Sequence, residues 1–148
     1  MRLWRVDDVM TRDVVAVDEQ TPYQTLVDLL IAHGVSALPV VNHCGQVVGI
    51  VSETDLLHKV QVFDGRRWSL SSTRRRRDRA KARGGTARDL MSPDVVSILP
   101  SISVPVAAER MLAAGVRRLP VEDDLGRLIG IVTRSDLLKV QRAEAVAS

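Results

Sequence analysis

The chain has 148 residues, 45% hydrophobic but only 3% aromatic, so a core is available but must be built from aliphatic side chains. No apolar run approaches the roughly 20 residues of a bilayer crossing, no signal-peptide-like stretch follows Arg2 and Arg5, and the single Cys44 excludes an internal disulfide framework. The formal net charge of +3 is uneven: ten basic residues and one acid, Asp78, lie between Arg66 and Arg88, against 11 basic and 17 acidic elsewhere. The basicity belongs to one segment, and the expectation is a soluble, cytoplasmic protein without a membrane partner.

From the N-terminus, the β-branched run 14–17 reads as a strand. Thr21-Pro22-Tyr23-Gln24 reads as a helix start, with Thr21 as N-cap, Pro22 at the first helical position and Gln24 closing a capping box. Leu26, Val27, Leu30 and Ile31 follow at helical spacing, and Gly34 is a left-handed stop. The apolar runs 37–41 and 46–51 flank a polar turn at 42–45, a hairpin-like pair. A last helix starts near Ser52 and carries Leu56, Leu57 and Val60.

The whole pattern recurs 81 residues later, without a gap from Val6 to Val60. VDDVMTRDVVAV (6–17) aligns with ARDLMSPDVVSI (87–98), and GQVVGIVSETDLLHKV (45–60) with GRLIGIVTRSDLLKVQ (126–141). The unit is therefore β-α-β-β-α, with copies at 6–60 and 87–141 and a tail at 142–148. One copy of about 55 residues is marginal alone, so the two should pack together. Between them, 61–86 is polar and basic and reads as a solvent-facing linker, with a helix conceivable over 74–83.

Four stretches resemble a known family. GVSALPVV (34–41) and GIVSETDLL (49–57), repeated as GVRRLPV (115–121) and GIVTRSDLL (130–138), are similar to the paired signatures of the cystathionine-β-synthase-type (CBS) domain. The resemblance implies an α/β fold in which two CBS repeats pack as a pseudo-symmetric pair, with clefts between the copies. It implies a regulatory sensor of an adenosine-containing ligand, such as AMP, ADP, ATP or S-adenosylmethionine, acting without catalysis or a required cofactor. It also implies a homodimer, which would either act on a separate effector protein or buffer or report a nucleotide by itself. Carried over residue by residue, the ligand contacts would be Ser52 and Asp55, and Thr133 and Asp136. Val14, Val15, Val95, Val96, Val35, Ser36 and Val116 would hold the adenine; independently of the resemblance, Arg117 and Arg118 at a strand edge offer charge-assisted hydrogen bonds to a phosphate.

The chemistry stands beside the resemblance. A helix N-terminus offers unsatisfied N–H groups and partial positive charge to a phosphate, and a carboxylate there accepts hydrogen bonds from a ribose diol. The plainer reading of both Ser/Thr-x-x-Asp motifs is an ordinary capping box. Ser36-Ala37 stands where the second copy has Arg117-Arg118, so the two sites differ toward anions. His33, His43, His58 and Cys44 show no metal-ligand or nucleophile spacing and read as surface polar residues. The alternative function is nucleic-acid or other polyanion binding by Arg74, Arg75, Arg76, Arg77, Arg79, Lys81 and Arg83, within 72–83. Only Phe63 and Trp68 lie nearby as stacking platforms.

Overall fold

The computed structural model describes residues 3–63 and 85–147; the basic run from 74 to 83, with the helix considered there, lies outside them. The described elements are α1 (Val6–Val9), β1 (Val17–Asp18), α2 (Tyr23–His33), β2 (Ala37–Val41), β3 (Val47–Ser52) and α3 (Glu53–Phe63) in the first copy. The second has α4 (Ala87–Leu90), α5 (Val104–Ala114), β4 (Arg118–Glu122), β5 (Leu128–Thr133) and α6 (Arg134–Ala147). No helix among the described residues is long and apolar enough to cross a membrane.

Local chemistry sets most of the helix ends. Gly34 and Gly115 close α2 and α5 with φ of 60° and 66°, a left-handed conformation that a side chain disfavours. Ser103 caps α5, its hydroxyl accepting from the Val106 N–H at 3.4 Å. The capping box expected at Thr21 does not form, and α2 starts one residue later, with Pro22 as an N-cap lacking a side-chain bond. The Thr21 hydroxyl instead donates to Asp18 Oδ1 at 3.2 Å, its carbonyl accepts from Ala87 N, and Gln24 donates to Asp28.

The strand expected at 14–17 also contracts. Only Val17 and Asp18 form β1, pairing in parallel with Val40 and Val41, in a sheet ordered β1-β2-β3. In the second copy the expected strand at 95–98 reduces to a single rung, with Ile98 bridging Val121 beside the antiparallel β4–β5 pair. The β-branched residues before these rungs lie in no strand. β-Propensity without a partner edge does not make a ladder.

The chain divides into two compact bodies that exchange their leading segments. The first comprises Met1–Val14, Cys44–Val47 and Val95–Ser148, and the second Val15–His43 and Val48–Asp94. In the first body, α1 docks beside α5 through Val6 N to Ile102 O (2.8 Å) and Val104 N to Trp4 O (2.9 Å). Thr11 and Ile131 then exchange backbone hydrogen bonds of 2.8 and 2.9 Å. Gly130 makes this approach possible: a Cβ there would stand 2.7 Å from Met10 Sδ and 3.0 Å from the Thr11 carbonyl oxygen. Buried Val6 and Met10 thereby join Ile98, Val104, Ala107, Met111, Leu119, Val121, Val132, Leu137 and Val140 in one core.

The second body repeats the plan. Thr86 and Asp89 form a reciprocal capping box on α4, whose amides at Ala87 and Arg88 donate to the carbonyls of Thr21 and Glu19. Ile50 and Ser92 exchange hydrogen bonds, and Ala87 and Leu90 pack with Val17, Leu26, Leu30, Leu38, Val40, Val51 and Leu56. Leu38 and Leu119, Val40 and Val121, and Val51 and Val132 are fully buried counterparts 81 positions apart.

The β4–β5 turn is clamped by Asp123. Its carboxylate accepts from the N–H groups of Leu125 and Arg127, both at 2.9 Å, and from Arg127 Nε at 2.8 Å. The Arg127 N–H, then that of Leu125, and the Arg127 guanidinium hold this carboxyl below the usual Asp range. A depressed folded value means stabilisation that is complete above the unfolded value of about 3.9 and is lost as pH falls through the folded one. Asp123→Ala is therefore expected to melt below wild type at neutral pH, with the gap closing under acid. A gap independent of pH in melts from pH 7 downward would contradict the clamp.

Candidate functional site

Both Ser/Thr-x-x-Asp motifs sit where a strand runs directly into a helix. β3 ends at Ser52 and α3 begins at Glu53; β5 ends at Thr133 and α6 begins at Arg134. Each junction is pinned by one long-range bond, Glu53 N to Ser36 O (2.9 Å) and Arg134 N to Arg117 O (3.0 Å). The Gly-Val stretch before β2 or β4 is thus held against the helix start.

Both carboxylates close capping boxes. Asp136 Oδ2 accepts from Thr133 N at 2.9 Å, and Asp136 N donates to Thr133 Oγ1 at 3.2 Å. Asp55 Oδ2 accepts from Ser52 N (2.8 Å) and Ser52 Oγ (3.0 Å). A carboxylate has about four lone-pair positions, so capping leaves acceptor capacity on each. Asp136 is 6% exposed and is the one buried charged residue among those described, with Lys139 Nζ 3.4 Å from Oδ1. The helix N-terminus and Lys139 compensate its burial.

The first body gathers Thr133, Asp136, Val116, Arg117, Arg118, Val14, Val95 and Val96. Arg118 lies opposite Thr133 in the β4–β5 register. The second body holds Ser52, Asp55, Val35, Ser36 and Val15. Two cavities lie within these bodies, and neither is lined by Asp55 or Asp136. One of about 580 Å³ has Val35, Ser36 and Glu53 in its wall, and one of about 860 Å³ has Val116, Arg117 and Arg134. Arg117 thus shares a cavity rim with Arg134, while Arg118, one residue on, belongs to the strand beside Thr133. The sequence reading passed over Arg134 and its counterpart Glu53, although the offset of TRSD against SETD displays the charge change. His33, His43, His58 and Cys44 are exposed, and no group of three metal-ligating side chains occurs among the described residues.

The family model for the CBS domain matches residues 6–62 and again 87–143. The chain belongs to the CBS-domain family. An uncharacterized protein of Methanopyrus kandleri is 34% identical over 144 residues, covering 95% of this chain and 64% of that protein. The human 5′-AMP-activated protein kinase subunit gamma-3 is 34% identical over 128 residues, 86% of this chain and 24% of that subunit. The chain therefore spans less than two thirds of the length of either relative. Among solved structures, CBSX2 of Arabidopsis thaliana in complex with AMP superposes with a TM-score of 0.80 at 29% identity, covering 96% of this chain and 98% of that one. The two-repeat α/β architecture is that of CBS-pair proteins.

Proposed function

We propose that this CBS pair is a regulatory module that binds an adenosine-containing ligand through the Thr133–Asp136 helix start and does not turn it over. The supporting observation is a buried carboxylate, Asp136, at a helix N-terminus in a chain similar over nearly its full length to CBSX2, solved with AMP. Asp136 takes the ribose hydroxyls, the α6 N-terminus and Arg118 attract phosphate, and Val14, Val95, Val96 and Val116 contact the adenine. Ser52 and Asp55, with Val15, Val35 and Ser36, form the counterpart that lacks arginines. The module acts as a homodimer on a separate effector.

Calorimetric titration with AMP, ADP, ATP and S-adenosylmethionine, against guanosine controls, tests the binding. Chromatographic recovery of the ligand unchanged after prolonged incubation tests the absence of turnover. Saturable binding of one adenosine ligand supports the reading, and hydrolysis that depends on Asp136 overturns its second half.

The charge of the segment between Arg66 and Arg88 supports a second activity, retention of nucleic acid or another polyanion. Deleting residues 72–83 is expected to abolish retention on a nucleic-acid column at low salt and to leave ligand titrations unchanged. Retention undiminished by the deletion refutes it.

A further inference from the structure

The two Ser/Thr-x-x-Asp junctions share a backbone plan and differ in what faces the carboxylate. In the first copy the N–H and the hydroxyl of Ser52 both donate to Asp55 Oδ2, at 2.8 and 3.0 Å, and no described residue donates to Oδ1. In the second copy Asp136 Oδ2 accepts the Thr133 N–H, and Oδ1 is met by the Lys139 ammonium at 3.4 Å. The Asp136 side chain is 9% exposed and that of Lys139 is 75% exposed. The carboxylate is held in place, while the ammonium stands in solvent. The counterpart of Lys139 in α3 is His58, exposed and without a bond to Asp55 among the described residues.

The surroundings carry the same difference. Where the second copy has Arg117, Arg118, Arg134 and Lys139, the first has Ser36, Ala37, Glu53 and His58. Glu53 opens α3, the placement that a helix dipole favours, whereas Arg134 opens α6, where the dipole disfavours a cation. Helix stability therefore gives no reason for the charge at the α6 start. An anion held beside Asp136 gives one.

We infer that Lys139 is a specificity-determining residue, which admits adenosine ligands with an anionic 5′ group to the Asp136 site and selects against neutral or cationic ones. Oδ2 caps α6, so Oδ1 is the oxygen left for a ribose diol. A diol that takes it displaces the ammonium. A 5′-phosphate on the same ribose gives that ammonium a new charge-assisted partner. Adenosine gives it none, and the sulfonium of S-adenosylmethionine, carried on the same 5′ carbon, repels it. Every ligand meets the loss of the ion pair and only a phosphorylated one offsets it, so selection works through an unfavourable element as well as a favourable one. The Asp55 junction, without a cation at Oδ1, lacks this filter. This inference rests on the adenosine-binding reading above and adds the class of ligand that the site takes.

Calorimetric titration of the full chain with AMP, adenosine and S-adenosylmethionine tests it, comparing Lys139 with Lys139→Met and Lys139→Arg. Asp55→Asn in every protein confines binding to the Asp136 site, and where that background does not fold, two-site fits without it supply the same ratios. Lys139→Met removes the charge at an exposed position and is expected to leave the circular-dichroism melt near wild type. With Lys139 present, AMP is expected to bind at least tenfold tighter than adenosine or S-adenosylmethionine. Lys139→Met is expected to weaken AMP roughly tenfold, the scale of one hydrogen bond to a charged group, and to leave adenosine unchanged or tighter. Lys139→Arg should keep the preference for AMP. An unchanged ratio of AMP to adenosine in Lys139→Met, or equal weakening of both, overturns the role of Lys139 and leaves the adenosine site standing. Absence of binding by all three ligands to the unsubstituted chain overturns both.

Discussion

Asp136→Asn is expected to remove ligand-induced stabilisation while leaving the unliganded melting temperature close to wild type. A ligand at about 100 times its dissociation constant stabilises the folded chain by roughly 2.7 kcal/mol, or about 5–10 °C at this size. Hydrogen bonds to a charged acceptor contribute about 1.5–3 kcal/mol each, and in the proposed site a ribose diol would make two with Asp136. Losing the charge therefore weakens binding about 100-fold or more, which at the same ligand concentration leaves roughly 0.4 kcal/mol of stabilisation. Asparagine keeps an oxygen able to accept from Thr133 N, the bond of 2.9 Å that caps α6, so the helix start survives. A thermal-shift series with adenosine ligands on both proteins decides the matter. An undiminished shift in the variant excludes Asp136 from the site, and flat curves in both reduce the two motifs to helix caps.

Met10→Ala is expected to destabilise the protein by about 2–5 kcal/mol, the usual range for truncating a buried methionine. The loss should register in the first body, which is built mainly from the second repeat. Met10 is 9% exposed and belongs to the cluster containing Val121, Val132 and Leu137. It fills the space left open by Gly130, and next to it the Thr11 N–H donates to Ile131 O and the Ile131 N–H to Thr11 O. Amide hydrogen exchange at Ile131 should accelerate in the variant more than exchange at Ile50, whose N–H is held by Ser92 O in the other body. Equal acceleration at both amides, or acceleration at Ile50 alone, would show that the leading segment does not support the body it is packed on.

Much of the molecule is legible in its residues because the signals are local. The glycine stops at 34 and 115 work through their own φ, and the Ser/Thr-x-x-Asp boxes close within three residues. The Thr86-x-x-Asp89 box was equally local, and reading it would have found α4. The misread elements are those whose partners are distant. Thr21 carries an N-cap pattern, but its carbonyl is taken by the distant Ala87 N–H, while its hydroxyl turns back to Asp18. The run at 95–98 has β-branched residues but one rung to pair with.

The site divides along the same line. Asp136 and Thr133 are readable from spacing. The association of Arg117 with Arg134, and its separation from Arg118, depends on a main-chain bond between residues 117 and 134. Sequence by itself determined the repeat, its glycine helix stops and the matched aliphatic cores, since backbone conformation and apolar periodicity act over a few residues. Only the tertiary structure decided which body receives each leading segment. The two cores present almost the same aliphatic surface, and both Gly49 and Gly130 leave room for a methionine. Apolar patterning therefore suits a segment to either body, and long-range packing makes the choice.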